Sequence, residues 1–224
     1  YNKVIEKIYE KEQFLKTKTL TKFKNGIAIY KDFKKILFFD VVQPSNLGFH
    51  KDLSAGSLAI EMSAHGEKIL TNCGGSEIQG KNPAYLKYSA AHSTIILDNT
   101  NISEIKENSF NKDFIKKVNF ETKDNENIMI LSGTHNGYLK NYKKICKREL
   151  FINKEKGLIR GKDTIISTKS IIKKNVYHIR FHLMPEISTT ITENKKNIII
   201  KTKKGNIWMF KSNKEMAIEK SIFV

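Results

Sequence analysis

The regular recurrence of turn residues constrains the fold of this chain more than any other feature. From residue 24 onward, short apolar or alternating runs are separated by clusters of Gly, Asn, Asp and Lys at intervals of about 8 to 12 residues. Few helical stretches lie between these clusters, which disfavours βαβ units and favours a sandwich or barrel. The alternating run at 57–63, the turn at 64–67 and the apolar run at 68–72 predict a hairpin. We therefore predict an all-β fold, an antiparallel β-sandwich, over residues 19–224.

The C-terminal part of the chain continues this pattern. It predicts three strands, at 197–202, 206–211 and 215–224, separated by short Lys-, Gly-, Ser- and Asn-containing turns. Further upstream, the apolar run at 94–98 predicts a buried strand that follows an irregular stretch rich in Gly and Ser.

The first residues carry a different pattern. Val4, Ile5 and Ile8 recur at helical spacing, which predicts a helix over residues 2–15. Two interpretations are open. The helix either caps one end of the sandwich or is the last element of a helical domain upstream, with residues 1–18 as its end or linker. The absence of a methionine at the first position favours the expectation that the chain is a piece of a larger protein.

The formal net charge of +17 is the feature that most suggests a polyanionic partner. Almost all of the positive charge is lysine, spread over nearly every segment, and only three arginines are present. A nucleic-acid module would interleave basic residues with exposed aromatics on one face. The aromatic residues here lie in patterns typical of a core, namely at Phe38, Phe39, Phe120, Phe151 and Phe210. We expect no nucleic-acid partner and favour a solvated basic surface, with a polyanion-binding face as the alternative.

Membrane insertion and metal binding have little support in the sequence. No apolar run approaches the roughly 20 residues that span a bilayer, so no membrane span is predicted. Cys73 and Cys146 are far apart and have no second thiol at metal-binding spacing. They either pair or are both small buried apolar residues, and the second interpretation is favoured.

Three histidines stand in informative positions, while His65 lies in the predicted hairpin turn and is expected to be solvated. His92 stands at the entrance of the apolar strand 94–98, where a histidine faces whatever occupies the adjacent gap. His178 and His182 are expected on one face of a single strand, on either side of Arg180. Both can be ordinary core or interface histidines, or ligands.

Several segments together resemble the β domain of the heparinase II/III-like family. Two of them are Ala90-Ala91-His92-Ser93-Thr94 and Gly133-Thr134-His135-Asn136-Gly137-Tyr138. The other similar segments lie at 54–62, 69–74, 148–151, 159–163, 179–185, 208–210 and 219–223. No single motif is diagnostic, but their order and spacing hold from about residue 26 to the end of the sequence.

The resemblance implies a specific architecture and chemistry. Members of this family have an N-terminal α/α toroid followed by an antiparallel β-sandwich, with the active cleft between them. Those with lyase activity cleave acidic polysaccharides, such as glycosaminoglycans, by β-elimination. The toroid supplies the base and most of the polar groups, so this chain alone is expected to lack the catalytic base. A periplasmic or cell-envelope location is also implied.

The resemblance also implies site residues. His92, Arg180 and His182 are the expected catalytic residues of this domain, lining the cleft and contacting an acidic sugar. Ser54, Asn72 and His135 are the expected substrate-binding residues. The alternative is a non-catalytic domain that binds glycan or buttresses the toroid.

A structural zinc occurs in some relatives, and its three ligand positions correspond here to Ser54, Asn72 and His92. Serine and neutral asparagine are poor zinc ligands, so only His92 matches. His50 lies four residues before Ser54 and could replace it if the loop reorganises. We therefore expect no metal and no cofactor.

Overall fold

The computed structural model of the chain describes residues 20–43, 54–73, 84–106, 109–111, 115–170 and 174–221. The helix predicted over residues 2–15 lies outside these ranges. Within them the chain forms an all-β antiparallel sandwich, as predicted. None of the helices in the described ranges has the length and apolarity needed to cross a membrane.

The first layer is a six-stranded antiparallel sheet in the order β1-β2-β3-β4-β5-β14, with strands numbered in chain order. Its strands are β1 Leu20–Lys24, β2 Ile27–Lys31, β3 Lys35–Asp40, β4 Ile60–Ala64, β5 Glu67–Thr71 and β14 His182–Leu183. The predicted hairpin is confirmed as β4–β5, and its turn residues His65 and Gly66 both have positive φ. Asn25 and Gly26 form the same kind of two-residue turn between β1 and β2. Strand β1 was missing from the sequence prediction.

The second layer is a four-stranded antiparallel sheet in the order β12-β11-β10-β9. Its strands are β9 Val118–Asp124, β10 Ile128–His135, β11 Lys144–Asn153 and β12 Leu158–Ser167, and a short helix, α1 Leu139–Tyr142, joins β10 to β11. Burial alternates along β10 and β11, so that every second residue points toward the first sheet. The inward rows hold the apolar residues that form this side of the core.

The main core lies between these two sheets. Tyr30, Leu37 and Phe39 of the first sheet and Met129 and Leu131 of the second are each 0% exposed. Complete burial of an apolar side chain contributes roughly 1.5–3 kcal/mol to folding. Cys146 belongs to this core and Cys73 is buried outside it, and both are free, so the prediction that both are buried and unpaired is confirmed.

A third sheet packs on the β4–β5 hairpin. Its strands are β15 Ser188–Ile191, β16 Asn197–Lys201 and β17 Ile207–Lys211. Trp208 and Phe210 pack against the small cluster of Ala64, Ile69 and Ile200. Two further pairs complete the described strands, β6 Ile95–Leu97 with β13 Tyr177–Ile179, and β7 Glu104–Lys106 with β8 Ser109–Asn111.

Three details of the sequence prediction were wrong. His178 and His182 do not share a strand face, because the chain leaves β13 at Arg180 and enters β14 in a different sheet. His178 is exposed and His182 is buried. The predicted strand at 215–224 is not a strand over 215–221, its described part, where side chains rather than a backbone ladder attach the segment. Phe38 is 37% exposed, because it lies on the outer face of β3.

Candidate functional site

One irregular segment, residues 89–94, organises the predicted site residues. It follows the 3-10 helix Ala84–Lys87, begins with the 3-10 helix Ser89–Ala91 and leads into β6. Three hydroxyl groups of the segment donate hydrogen bonds of 2.7 Å to backbone carbonyls: Ser89 to Ala55, Ser93 to Thr71, and Thr94 to Ser57. These contacts join the segment to the loop before β4 and to the end of β5. The short polar side chains of the Ser and Thr residues therefore fix the position of His92 between them.

Arg148 supports this segment from inside the sandwich. Its Nη1 donates to the carbonyl oxygens of Leu58 at 2.8 Å and Ser93 at 2.7 Å. Its Nε and Nη2 make a bidentate pair with Asp163 at 2.7 and 3.0 Å, and the residue is only 1% exposed. Sequence reasoning missed this role. The signal was available, because Arg148 stands in the inward row of β11 between Cys146 and Leu150.

His92 is 5% exposed and packs against Gly56. A Cβ atom at Gly56 would lie 2.9 Å from Cγ of the imidazole, so only glycine leaves the ring its space. Burial lowers the pKa of His92 to about 4. The neighbouring His182 acts in the same direction, and a hydrogen bond to the Leu86 backbone opposes them. The ring is therefore neutral at pH 7, and its Nε2 has no hydrogen-bond partner among the described residues.

The hydrogen bonds of His182 define its tautomer. Its Nε2 lies 2.9 Å from the carbonyl oxygen of Ala90, which can only accept, so Nε2 carries the proton. Its Nδ1 then accepts from the hydroxyl of Ser221 at 2.7 Å, with the thiol of Cys73 3.2 Å away. Burial lowers the pKa of His182. The hydrogen bond to the Ala90 carbonyl raises this pKa, whereas the positive charge of Arg180 lowers it further. The neutral ring thus connects segment 89–94 to residue 221.

Arg180 lies beside this histidine at the edge of the segment. Its backbone N–H donates to the carbonyl oxygen of Thr94 at 3.0 Å. Its Nη1 donates to Oε2 of Glu219 at 3.0 Å. The Nε atom of Arg180 is buried and has no partner in the described part of the chain. The structure therefore brings Arg180 and His182 to the segment that carries His92.

Asn72 and Ser54 have no geometry that suits a metal. Asn72 accepts the backbone N–H of Ser93 at 2.8 Å and donates to Glu61 at 3.0 Å, so its amide is committed to positioning segment 89–94. Ser54 is partly exposed two residues before Gly56. No group of three His, Cys, Asp or Glu residues within the described ranges could hold a metal ion. The residues at the three implied positions thus do not fit a zinc site.

His135 is separate from this group. It is 1% exposed, lies in the inward row of β10, and its Nδ1 accepts the backbone N–H of Gly137 at 3.1 Å. Its ring packs against Tyr138 with centroids 5.7 Å apart. Contact of His135 with a substrate stays a prediction, and the described contacts are those of a core residue.

The burial of His135 has a consequence for stability at acid pH. Burial, together with the charge of Arg148, lowers its pKa to about 3, whereas an unfolded histidine titrates near 6.5. Between these values the unfolded state binds more protons. The contribution of His135 to the free energy of unfolding should therefore fall by roughly 1.4 kcal/mol per pH unit on acidification from about 6.5 toward 3.

Urea denaturation at a series of pH values tests this expectation. His135→Asn keeps an acceptor for Gly137 N–H and removes the titrating ring, so it should flatten the slope. The matched control is His178→Asn, at an exposed position, which should retain the slope of the parent. An unchanged slope in His135→Asn would show that His135 contributes nothing to acid sensitivity.

Comparisons with known proteins agree with this architecture. Residues 21–224 match the family model described as heparinase II/III-like, C-terminal. Heparan sulfate lyase HepC from Pedobacter heparinus superposes with a TM-score of 0.68 at 15% identity, over 88% of this chain and 29% of that chain. A heparinase III gene product gives a TM-score of 0.62 at 12% identity, over 81% and 26%. Another heparinase III structure gives 0.60 at 11% identity, over 81% and 29%.

These likenesses concern the fold, since the sequence identities are low. This chain spans less than a third of the length of each of the three solved chains. No curated protein sequence matches it.

Proposed function

The chain belongs to the heparinase II/III-like family, matching its C-terminal domain, and we propose that it is the sandwich domain of a lyase that cleaves acidic, uronate-containing polysaccharide by β-elimination. In this proposal a helical toroid that precedes the sandwich supplies the base, and the sandwich forms the other wall of the cleft. The observation that carries the proposal is the convergence of His92, His182 and Arg180 on segment 89–94.

The chemistry assigns a task to these groups. In β-elimination a base removes the proton next to the uronate carboxylate, the bond to the leaving oxygen breaks, and an acid protonates that oxygen. The proton is acidic enough only when the carboxylate charge is neutralised by nearby donors. Arg180 supplies a positive charge, and neutral His92 supplies a hydrogen-bonding group at Nε2, which has no partner among the described residues. His182 positions segment 89–94 through its hydrogen bond to the Ala90 carbonyl. No step requires a metal at Ser54 or Asn72.

The charge of the chain suits an acidic polymer. A net charge of +17 creates a positive potential that raises the local concentration of polyanions and accelerates their association. Lysine provides this long-range attraction without fixed geometry, whereas the planar guanidinium of Arg180 is suited to oriented recognition of a carboxylate.

A non-catalytic glycan-binding or structural domain is the second candidate. The observation that favours it is the chemistry of Ser54 and Asn72, which carry no ionisable group at positions where the resemblance implies metal ligands in some relatives. The two candidates differ in turnover: a binding domain retains acidic glycan without forming product.

Incubation of the full-length protein with a panel of uronate polymers tests the proposal. We expect an unsaturated product that absorbs in the ultraviolet from at least one polymer. His92→Gln is expected to lower the rate by about tenfold or more, whereas His178→Gln, an exposed histidine in β13, should leave it unchanged. The thermal unfolding of both variants shows whether each is folded. A folded parent protein that yields no such product across the panel would contradict lyase activity.

A further inference from the structure

The C-terminal segment, residues 215–221, covers two of the proposed site residues. Glu219 pairs with Arg180, which follows β13, and Ser221 bonds to His182, the first residue of β14. The segment has no regular secondary structure. Its one backbone hydrogen bond to the rest of the sandwich, within the described ranges, runs from Met216 N–H to the carbonyl oxygen of Lys195. Over residues 219–221, side chains provide the attachment.

The pairing of Arg180 with Glu219 engages only one nitrogen of the guanidinium, Nη1. A carboxylate aligned with the fork of an arginine accepts two parallel hydrogen bonds. Glu219 accepts one, from Nη1, and Nε of Arg180 remains buried with no partner among the described residues. The Glu219 side chain is 66% exposed, and exposed ion pairs of this kind are weak.

We propose that Arg180 is a carboxylate-binding site whose internal ligand, Glu219, is exchanged for the carboxylate of an acidic saccharide. The identity of the incoming ligand rests on the function proposed above. The exchange replaces one carboxylate with another, so the positive charge of Arg180 stays paired throughout. An incoming carboxylate that accepts from both terminal nitrogens, Nη1 and Nη2, makes two hydrogen bonds, whereas Glu219 accepts only from Nη1.

Displacement of Glu219 has a structural consequence two residues further on. Release of the segment also withdraws Ser221 from His182 and from Cys73, whose Sγ lies 3.4 Å from the Ser221 hydroxyl. Cys73 is 2% exposed in the covered state. Its thiol therefore reports whether the segment is in place. Cys146 is 0% exposed in the core between the sheets and serves as an internal control.

The experiment measures alkylation of both thiols by mass spectrometry, in the absence and presence of an unsulfated uronate oligosaccharide. We expect the oligosaccharide to accelerate alkylation of Cys73 relative to Cys146. Glu219→Gln should accelerate it without saccharide and tighten saccharide binding about two- to fivefold, the range set by the loss of a weak exposed pair. Arg180→Gln should bind the oligosaccharide at least about tenfold more weakly.

A matched control is Glu186→Gln, which makes the same change in charge at another exposed ion pair, with Lys203. It should leave both the saccharide affinity and the reactivity of Cys73 unchanged. Equal behaviour of Glu219→Gln and Glu186→Gln would overturn the proposal. The same experiment is repeated with a sulfated polymer that lacks uronate. Faster alkylation of Cys73 with this polymer alone would overturn the proposal that Arg180 binds a carboxylate.

The result of the alkylation and binding experiment can be distinguished from the result of the lyase assay. Binding through Arg180 with release of Cys73, in a protein that forms no unsaturated product, would support the exchange and reject the lyase. Product formation with no effect of Glu219→Gln on affinity or thiol reactivity would support the lyase and reject the exchange.

Discussion

Replacing Arg148 with methionine is expected to lower the free energy of unfolding by about 3–5 kcal/mol, since it breaks a buried, hydrogen-bonded ion pair by removing one partner. The substitution leaves the carboxylate of Asp163 and the carbonyl oxygens of Leu58 and Ser93 without their donor. Each of these groups then loses a charge-assisted hydrogen bond in a site from which water is largely excluded. Urea denaturation measures the change.

The matched control is Arg160→Met on β12. Arg160 is exposed, and the same loss of charge should change the free energy of unfolding by no more than about 0.5 kcal/mol. Equal effects of the two substitutions would show that Arg148 contributes only its charge. If Arg148→Met retains enough folded protein for assay, saccharide binding should also weaken, because Ser93 adjoins His92 and bonds to the backbone of His182.

Gly133→Ala is expected to lower the free energy of unfolding by about 1–3 kcal/mol through overpacking. Gly133 stands in the inward row of β10, opposite Arg148. A Cβ atom there would lie 2.5 Å from Leu58 Cδ2 and 2.9 Å from Phe39 Cζ. Leu58 is fully buried and also provides a carbonyl to Arg148, so it has little freedom to move.

Gly161→Ala on β12 is the control for this substitution. The nearest atom to a Cβ at Gly161 is Leu150 Cδ2 at 3.9 Å, an ordinary van der Waals distance. The change should be neutral or slightly stabilising, because alanine reduces the conformational entropy of the unfolded chain. A loss of stability at Gly161 equal to that at Gly133 would point to a general effect of alanine in these strands rather than to overpacking.

The sequence was sufficient to predict the all-β class and the β4–β5 hairpin because strand periodicity and turn chemistry are local properties. The alternation at 57–63 and the His65-Gly66 turn define the β4–β5 hairpin with no knowledge of what packs on it. The break at Arg180 was not predictable in this way. The exchange of partners from β6 to β5 depends on contacts with residues at least 80 positions away in sequence.

The candidate site also contains features that local sequence predicts and features that depend on contacts between distant residues. His92 was recognisable from its place before a buried strand and from the family resemblance. The hydrogen bonds that orient the site join residues distant in sequence, such as His182 to Ala90 and Arg148 to Ser93. The role of Glu219 was hidden for the same reason. Its segment carries the alternating pattern of a strand, yet side-chain contacts with Arg180 and His182 attach it instead.

We propose that the protein containing this domain cleaves a uronate polymer by elimination, and cleavage in water enriched in heavy oxygen distinguishes elimination from hydrolysis. Elimination adds no water across the broken bond, so the new chain ends should carry no heavy oxygen and should absorb in the ultraviolet. Hydrolysis would introduce heavy oxygen from the solvent and create no double bond. Products that carry the label and lack ultraviolet absorbance would show hydrolysis and reject elimination.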